Sequence, residues 1–234
     1  MRKKILLLVI FMLISIVGGC GNNTTNPSYT GKNTGSGSNI SSGNSIPNKN
    51  ILVNLNENIK TSGAITDLGK LVVFVTNDNN VPVDMDIEVE FYDANGNILG
   101  SGSDDLSAVG AKSEVAVDIW STPENFDTYK IYVDVVQTTK ISYFNNIELV
   151  HNNNGKDIVV QVKNNSSDVI DYITVSVVYF QNDKVVGFDE SIQSDTNPGR
   201  AANFTLDYPY NKQYRNVYFD SYKVYVKEAY SYNW

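Results

Sequence analysis

The chain has 234 residues, of which 41% are hydrophobic and 19% charged, with one cysteine and one histidine. Its 18 basic and 26 acidic side chains give a formal net charge of −8. This balance argues against nucleic acid as a partner, because binding to phosphates needs an excess of lysine and arginine. A single cysteine also excludes a framework of intrachain disulfides.

The N-terminus has the pattern of an export signal. Arg2, Lys3 and Lys4 precede an apolar run that is shorter than the roughly 20 residues of a membrane-spanning helix. The run ends in residues 17–20, Val-Gly-Gly-Cys, which resemble a lipobox. We therefore expect residues 1–19 to be a lipoprotein signal peptide and Cys20 to carry the lipid. The alternatives are an ordinary secretory signal or an uncleaved anchor.

Residues 20–50 consist almost wholly of Asn, Thr, Ser and Gly. Such a segment buries too little apolar surface to offset the loss of backbone entropy, so we expect a flexible tether. Removal of the three basic residues of the signal leaves 15 basic against 26 acidic side chains, a net charge of −11. The lipid would hold this acidic chain on the extracytoplasmic face of the cell membrane.

An internal repeat dominates the rest of the chain, which is the signature of a duplicated structural unit. Residues 126–133 recur as residues 219–226 with only Thr/Ser and Ile/Val exchanges. Further matches keep the same order and pair Val75-Thr76-Asn77-Asp78 with Val162-Lys163-Asn164-Asn165, Ile98-Leu99-Gly100 with Val185-Val186-Gly187, Gly110 with Gly199, and Asp118 with Asp207.

Each copy has the period-two alternation of half-buried β-strands. The inward series is Met85, Ile87, Val89 and Phe91 in the first copy, and Ile173, Val175, Val177 and Tyr179 in the second. The second series is shifted by one position. We therefore expect one extra residue in the loop before that strand and one fewer in the hairpin after it, since otherwise the core face would flip.

Turn residues separate the strands, and no stretch has a helical period. Asn95-Gly96 is a strong hairpin signal, and Asn182-Asp183 is its weaker counterpart. The chain is therefore predicted to be all-β, with two tandem antiparallel immunoglobulin-like β-sandwich domains at residues 51–138 and 139–234, after the signal peptide and the tether.

Residues 89–99, Val-Glu-Phe-Tyr-Asp-Ala-Asn-Gly-Asn-Ile-Leu, resemble the FxLYD-type domain of bacterial lipoproteins. The likeness covers most of residues 60–137 and, more weakly, 150–230. In the second copy, residues 177–181 depart from the tyrosine-aspartate pair, so that assignment depends mainly on the internal repeat. The resemblance implies a sandwich fold in surface proteins of unassigned function and supplies no catalytic residues.

Two groups of residues could suggest chemistry, but each has a simpler interpretation. His151 stands beside three asparagines; with no partners for nucleophilic catalysis, it is expected on an exposed turn. The row Asp84, Asp86, Glu88 and Glu90 could bind calcium, yet a solvated strand face partly paired with lysines explains it better.

A calcium loop beginning at Asp93 and ending at Asp104 is likewise less favoured than a hairpin, because Ile98 occupies the position that requires glycine. No catalytic residue, metal ligand or cofactor site is therefore predicted.

Tyrosines crowd the C-terminal region, where residues 208–234 contain eight tyrosines and one tryptophan. Strand packing explains most of them, but tyrosine-rich patches also form binding surfaces. The candidate residues for a ligand or partner face are Tyr132, Tyr225, Tyr232 and Trp234.

The sequence therefore predicts a non-enzymatic binding module that is held at the membrane by lipid and recognises another envelope protein or a glycan. The alternative is a structural spacer or assembly scaffold on the cell surface. An enzyme would need chemistry based on carboxylates or a metal.

Overall fold

The computed structural model describes residues 54–233, so the signal peptide, the tether, Cys20 and Trp234 lie outside the described residues. This region is all-β with antiparallel sheets, apart from two short 3-10 helices. Within it, no helix is long and apolar enough to cross a membrane. The elements in chain order are η1 (Leu55–Asn58), β1 (Ile59–Ile65), β2 (Leu71–Asn77), β3 (Val83–Tyr92), β4 (Ile98–Val109), β5 (Ser113–Asp118), β6 (Thr128–Gln137), β7 (Ile141–Ser142), η2 (Phe144–Asn146), β8 (Ile147–Asn153), β9 (Asp157–Asn164), β10 (Ile170–Gln181), β11 (Lys184–Thr196), β12 (Ala201–Asp207) and β13 (Ser221–Ser231).

The strands form four sheets, here named A to D. Sheet A has the order β1-β2-β5, sheet B β4-β3-β6, sheet C β11-β10-β13-β7 and sheet D β12-β9-β8. Sheets A and B enclose one apolar core, which includes Leu71 and Phe91. Residues 54–137, which form these two sheets, are called the first half. Sheets C and D enclose a second core, which includes Ile158 and Tyr179, and the second half is residues 141–233.

The two halves have equivalent strand orders, in keeping with the internal repeat of the sequence. Sheets A and D have equivalent orders, and sheet B is equivalent to the three longer strands of sheet C. Even the 3-10 helices occupy equivalent places, before β1 and before β8. All eight residues of the two predicted inward series are buried in these cores, as the alternation indicates.

The compensating insertion lies elsewhere than predicted. The connection from Asn77 to β3 is as long as the one from Asn164 to β10. Instead, the inward residues Ile170 and Ile173 are three positions apart, so β10 takes up the extra residue itself. An irregularity inside a strand can shift its register without exposing the core.

Both predicted hairpins are present, and the second is one residue shorter. Phe91 pairs with Gly100 and Tyr179 with Gly187, nine and eight positions on. In the first turn, the Asp93 carboxylate accepts hydrogen bonds from backbone N–H groups two and four positions on, at 2.9 and 2.8 Å. The Asp93 side chain therefore serves the turn, as the hairpin interpretation requires.

A third apolar cluster joins the two halves face to face. The outward face of sheet A contributes Val72 and Ala116, and that of sheet C contributes Val178, Val185 and Tyr225. All five side chains are buried. As a result β2 and β10 carry apolar residues on both faces, and the described residues belong to one compact unit.

Polar contacts complete this junction between the halves. The Lys227 ammonium lies 2.9 Å from an Asp104 oxygen of the first half and 3.0 Å from a Glu190 oxygen of the second. The Glu228 carboxylate accepts a hydrogen bond of 2.7 Å from the Ser107 N–H. Burial by itself would lower the pKa of Lys227, but its two carboxylate partners outweigh this and raise it.

Candidate functional site

A cleft of about 240 Å³ opens where the end of the junction meets solvent. The first half supplies the end of β5 and the turn between β1 and β2, and the second half supplies β11 and the end of β12. The repeat therefore brings Asp118 and its counterpart Asp207 to one site. Neither half has the cleft alone.

Exposed aromatic rings from both halves line this junction cleft. Trp120, in the turn after β5, is 72% exposed, and Tyr210, in the loop after β12, is 47% exposed. Tyr210 stacks on Tyr214, which is 86% exposed, with ring centroids 5.9 Å apart and planes 16° apart. Large aromatic surfaces left open to water are typical of binding sites.

The loop that carries Tyr210 and Tyr214 is internally ordered. The Asn211 side chain accepts hydrogen bonds from the backbone N–H groups of Gln213 and Arg215, at 2.9 and 3.2 Å. The Tyr214 N–H donates to the Asn211 carbonyl at 2.9 Å, and Tyr214 has a positive φ of 56°. This tight turn holds the two rings together outside the core.

Gly187 on β11 permits the close approach of this loop. A Cβ atom at Gly187 would lie 2.2 Å from the Cβ of Pro209. Pro209 itself stands between Tyr208 and Tyr210, both of which line the cleft. The absence of a side chain at Gly187 therefore brings the aromatic loop against β11.

The floor of the cleft is rich in carboxylates. The Lys70 ammonium lies 2.8 Å from an Asp118 oxygen, and Asp189 accepts a hydrogen bond of 2.7 Å from the Asp207 N–H. Burial raises the pKa of Asp118, more than the nearby Lys70 lowers it. Burial also raises the pKa of Asp189, although the hydrogen bonds from the backbone N–H groups of Asp207 and Glu190 oppose the effect.

Of the residues predicted as a binding face, Tyr132 and Tyr225 lie on different strands, β6 and β13, and Trp234 lies outside the described residues. Tyr225 is only 5% exposed and packs at the junction, with its ring 6.3 Å from that of Phe74. Tyr132 lies on β6, where its hydroxyl donates to Glu90 at 3.0 Å, and this bond raises its pKa to about 12. Tyr232 follows β13 and packs edge-on against the Tyr230 ring at 5.7 Å.

The other residues weighed from the sequence have structural partners. His151 lies within β8 rather than on a turn, and its ring nitrogen is 3.2 Å from the Tyr222 hydroxyl. In the acidic row, Asp84 pairs with Lys140 at 3.2 Å and Glu90 bonds Tyr132. Among residues 54–233, no group of three or more potential ligands is placed to hold a metal ion.

Sequence reasoning missed Trp120 and the carboxylates of the cleft. Trp120 stands in a short polar connection between two strands, and an exposed tryptophan in such a place was the one available signal. Asp189 and Asp207 are far apart along the chain from Asp118. Only the packing of the two halves brings them together.

No family model matches the chain, and no curated protein matches its sequence. The function must therefore be argued from the geometry of the described residues.

Proposed function

We propose that this chain is a non-enzymatic binding module of the cell envelope, built from two FxLYD-type, immunoglobulin-like domains and anchored through Cys20 on the extracytoplasmic face of the membrane. Its partner is another envelope protein or a glycan. The observation that carries the proposal is the junction cleft, because both halves contribute to it and exposed aromatic rings border it.

The chemistry of the cleft supports recognition rather than nucleophilic catalysis. Its polar groups include Asp118, Asp189, Asp207 and Lys70, and none of the residues lining it is a cysteine or histidine. The only histidine, His151, bonds Tyr222 elsewhere on the surface. A nucleophile without an adjacent base reacts slowly at neutral pH, whereas aromatic faces and carboxylates bind ligands without further help.

The anchor is tested by replacing its cysteine. Cys20→Ser should leave the protein unprocessed or release it from the membrane, because no thioether-linked lipid can form. Cell fractionation and metabolic labelling with a fatty acid measure the outcome. An unchanged, labelled membrane fraction would contradict the lipid anchor.

The cleft is tested by capture of partners from solubilised envelope, together with a glycan array. The double variant Trp120→Ala, Tyr210→Ala should reduce the captured signal at least tenfold. Tyr132→Ala is the matched control, since it removes a half-exposed aromatic ring on β6 that does not line the cleft. Loss of capture in the control but not in the double variant would move the binding site to the Tyr132 face.

The second candidate is a structural spacer, and the apolar junction favours it because it fixes the two halves as one unit. A pure spacer would give no capture or glycan signal in either variant. An assembly scaffold would in addition self-associate, and sedimentation at increasing concentration measures that directly.

A further inference from the structure

Two carboxylates in the junction cleft lack a cationic partner. Asp118 pairs with Lys70, and Glu190 pairs with Lys227. By contrast, no ammonium or guanidinium group of residues 54–233 lies within 4.0 Å of Asp189 or Asp207. Part of the charge in the cleft is therefore uncompensated by any cation of residues 54–233.

Aromatic rings border the same volume. Trp120 and Tyr210 line the cleft with Asp189 and Asp207, and Tyr208 lies beside them. An aromatic face attracts a cation through its quadrupole and also covers the apolar stem that carries the charge. Carboxylates next to open rings are thus the combination that an organic cation requires.

The size of the cleft limits the occupant. Its 240 Å³ fall below the roughly 300–1,000 Å³ of sites that enclose drug-sized ligands. A single extended alkyl chain ending in a charged group fits this space better than a bulky ligand. The described residues carry 13 basic and 26 acidic side chains, and such an excess attracts cations from a distance.

We propose that the junction cleft binds an organic cation, an alkylammonium or guanidinium group, with Asp189 and Asp207 bonding the charge and Trp120 and Tyr210 packing on its stem. This inference rests on the proposed function and names the chemistry of its ligand. The cation has two possible sources, a lysine or arginine side chain of an envelope protein or a free polyamine.

Intrinsic fluorescence can report binding directly. The chain has two tryptophans, so a Trp234→Phe background leaves Trp120 as the only one. The probes are acetyl-Gly-Gly-Lys-Gly-Gly-amide, the same peptide with arginine, spermidine, and a neutral peptide with glutamine. We expect the cationic probes to change Trp120 emission, with at least tenfold weaker binding for the neutral peptide and a marked loss in high salt.

The charge requirement is tested with Asp189→Asn, Asp207→Asn. Asparagine keeps a side-chain oxygen to accept the Asp207 N–H bond, so the double variant should fold, and its melting curve checks this. It should bind the cationic peptides at least tenfold more weakly. The control Glu148→Gln, Asp195→Asn removes two exposed charges from β8 and β11, away from the residues that line the cleft, and should bind as the parent does.

The outcomes separate the two sources and the two proposals. Preference for the peptides identifies a protein side chain as the ligand, and preference for spermidine identifies a free amine. Equal binding of the neutral peptide, equal binding by the Asn double variant, or no binding of any cationic probe at millimolar concentration would each overturn the inference. If partner capture still depends on Trp120 and Tyr210 in those cases, the proposed function stands without it.

Discussion

Glu90 and Val178 occupy equivalent positions in the two copies of the repeat, one place before the buried Phe91 and Tyr179. Glu90 faces solvent beside Tyr132, whereas Val178 is buried at the junction. The two halves therefore share their inward positions and differ on their outward faces. The outward residues therefore decide which surfaces meet.

The junction is a head-to-tail contact, because sheet A of the first half packs on sheet C of the second and these sheets are not equivalent. Such a contact could in principle repeat along a fibre. The unused faces do not support repetition: sheet D presents Gln161 where sheet A has Phe74, and β3 presents exposed Asp86 and Glu88. Charges on open sheets oppose association.

Exchanging the outward residues Val178 and Glu90 between the halves should give the largest effect on stability. Val178→Glu places an unpaired carboxylate inside the junction, and we expect a loss of about 4 kcal/mol in the free energy of unfolding. The reciprocal variant Glu90→Val should cost far less, because it buries no charge and loses only the hydrogen bonds from Tyr92 and Tyr132 at the surface. Urea unfolding of residues 21–234 measures both, and equal losses would mean that the two faces are not distinct.

Asn77 and Asn164 are buried at equivalent positions of the two halves, so replacing them tests whether the halves share the same internal hydrogen bonds. The Asn77 side-chain amide donates to the carbonyls of Val109 and Gly110 at 3.1 and 2.9 Å, and Asn164 donates to Thr196 at 2.8 Å. Replacing either by alanine leaves buried carbonyls without donors, so we expect a loss of about 3 kcal/mol. Similar losses measured by urea unfolding would confirm that the two asparagines have equivalent roles. If Asn164→Ala left the free energy of unfolding unchanged, their roles would not be equivalent.

Lys227 tests the polar part of the junction. In Lys227→Met, Asp104 loses its cationic partner inside the interface, and we expect a loss of about 2–3 kcal/mol at pH 7. The loss should be smaller at pH 5, since Asp104 can then take up a proton in place of its partner; burial raises its pKa. Lys130→Met, on the free sheet, is the control for removing a lysine.

The pH dependence should give the smallest effect and should distinguish the junction from the free faces. Burial raises the pKa values of Asp104, Asp118, Asp189 and Glu228, all at the junction or its cleft. The folded state then binds protons more tightly than the unfolded state, so stability should rise as the pH falls from 7 through these raised pKa values. Glu90, whose pKa is lowered by its bonds to Tyr92 and Tyr132, contributes in the opposite direction at lower pH.

Melting temperatures between pH 7 and pH 5 measure this effect. Asp189→Asn should flatten the rise, because it removes one of the groups whose pKa is raised. If the unmodified protein instead lost stability steadily from pH 7 downward, the raised pKa values of the junction carboxyl groups would be contradicted.

The sequence by itself determined the all-β class, the internal repeat and the inward residues of β3 and β10. These follow from alternation within one strand and from matches between copies, both of which are local in the chain. The tight turn at Asp93 was predictable for the same reason. The position of the extra residue before the inward series of β10 was not predictable, because an insertion in the loop and an irregularity within the strand restore the alternation equally well.

Only the tertiary structure decided which outward faces meet and what lies between them. On β2, Val72 lies on the outward face between Leu71 and Val73, and all three side chains are buried. The surface that covers Val72 comes from β10, β11 and β13, whose residues are distant in sequence. Tyr225 was therefore predicted as a candidate ligand residue and is found packed, while the cleft joins Trp120 to Asp189 and Asp207 because two separate halves close on each other.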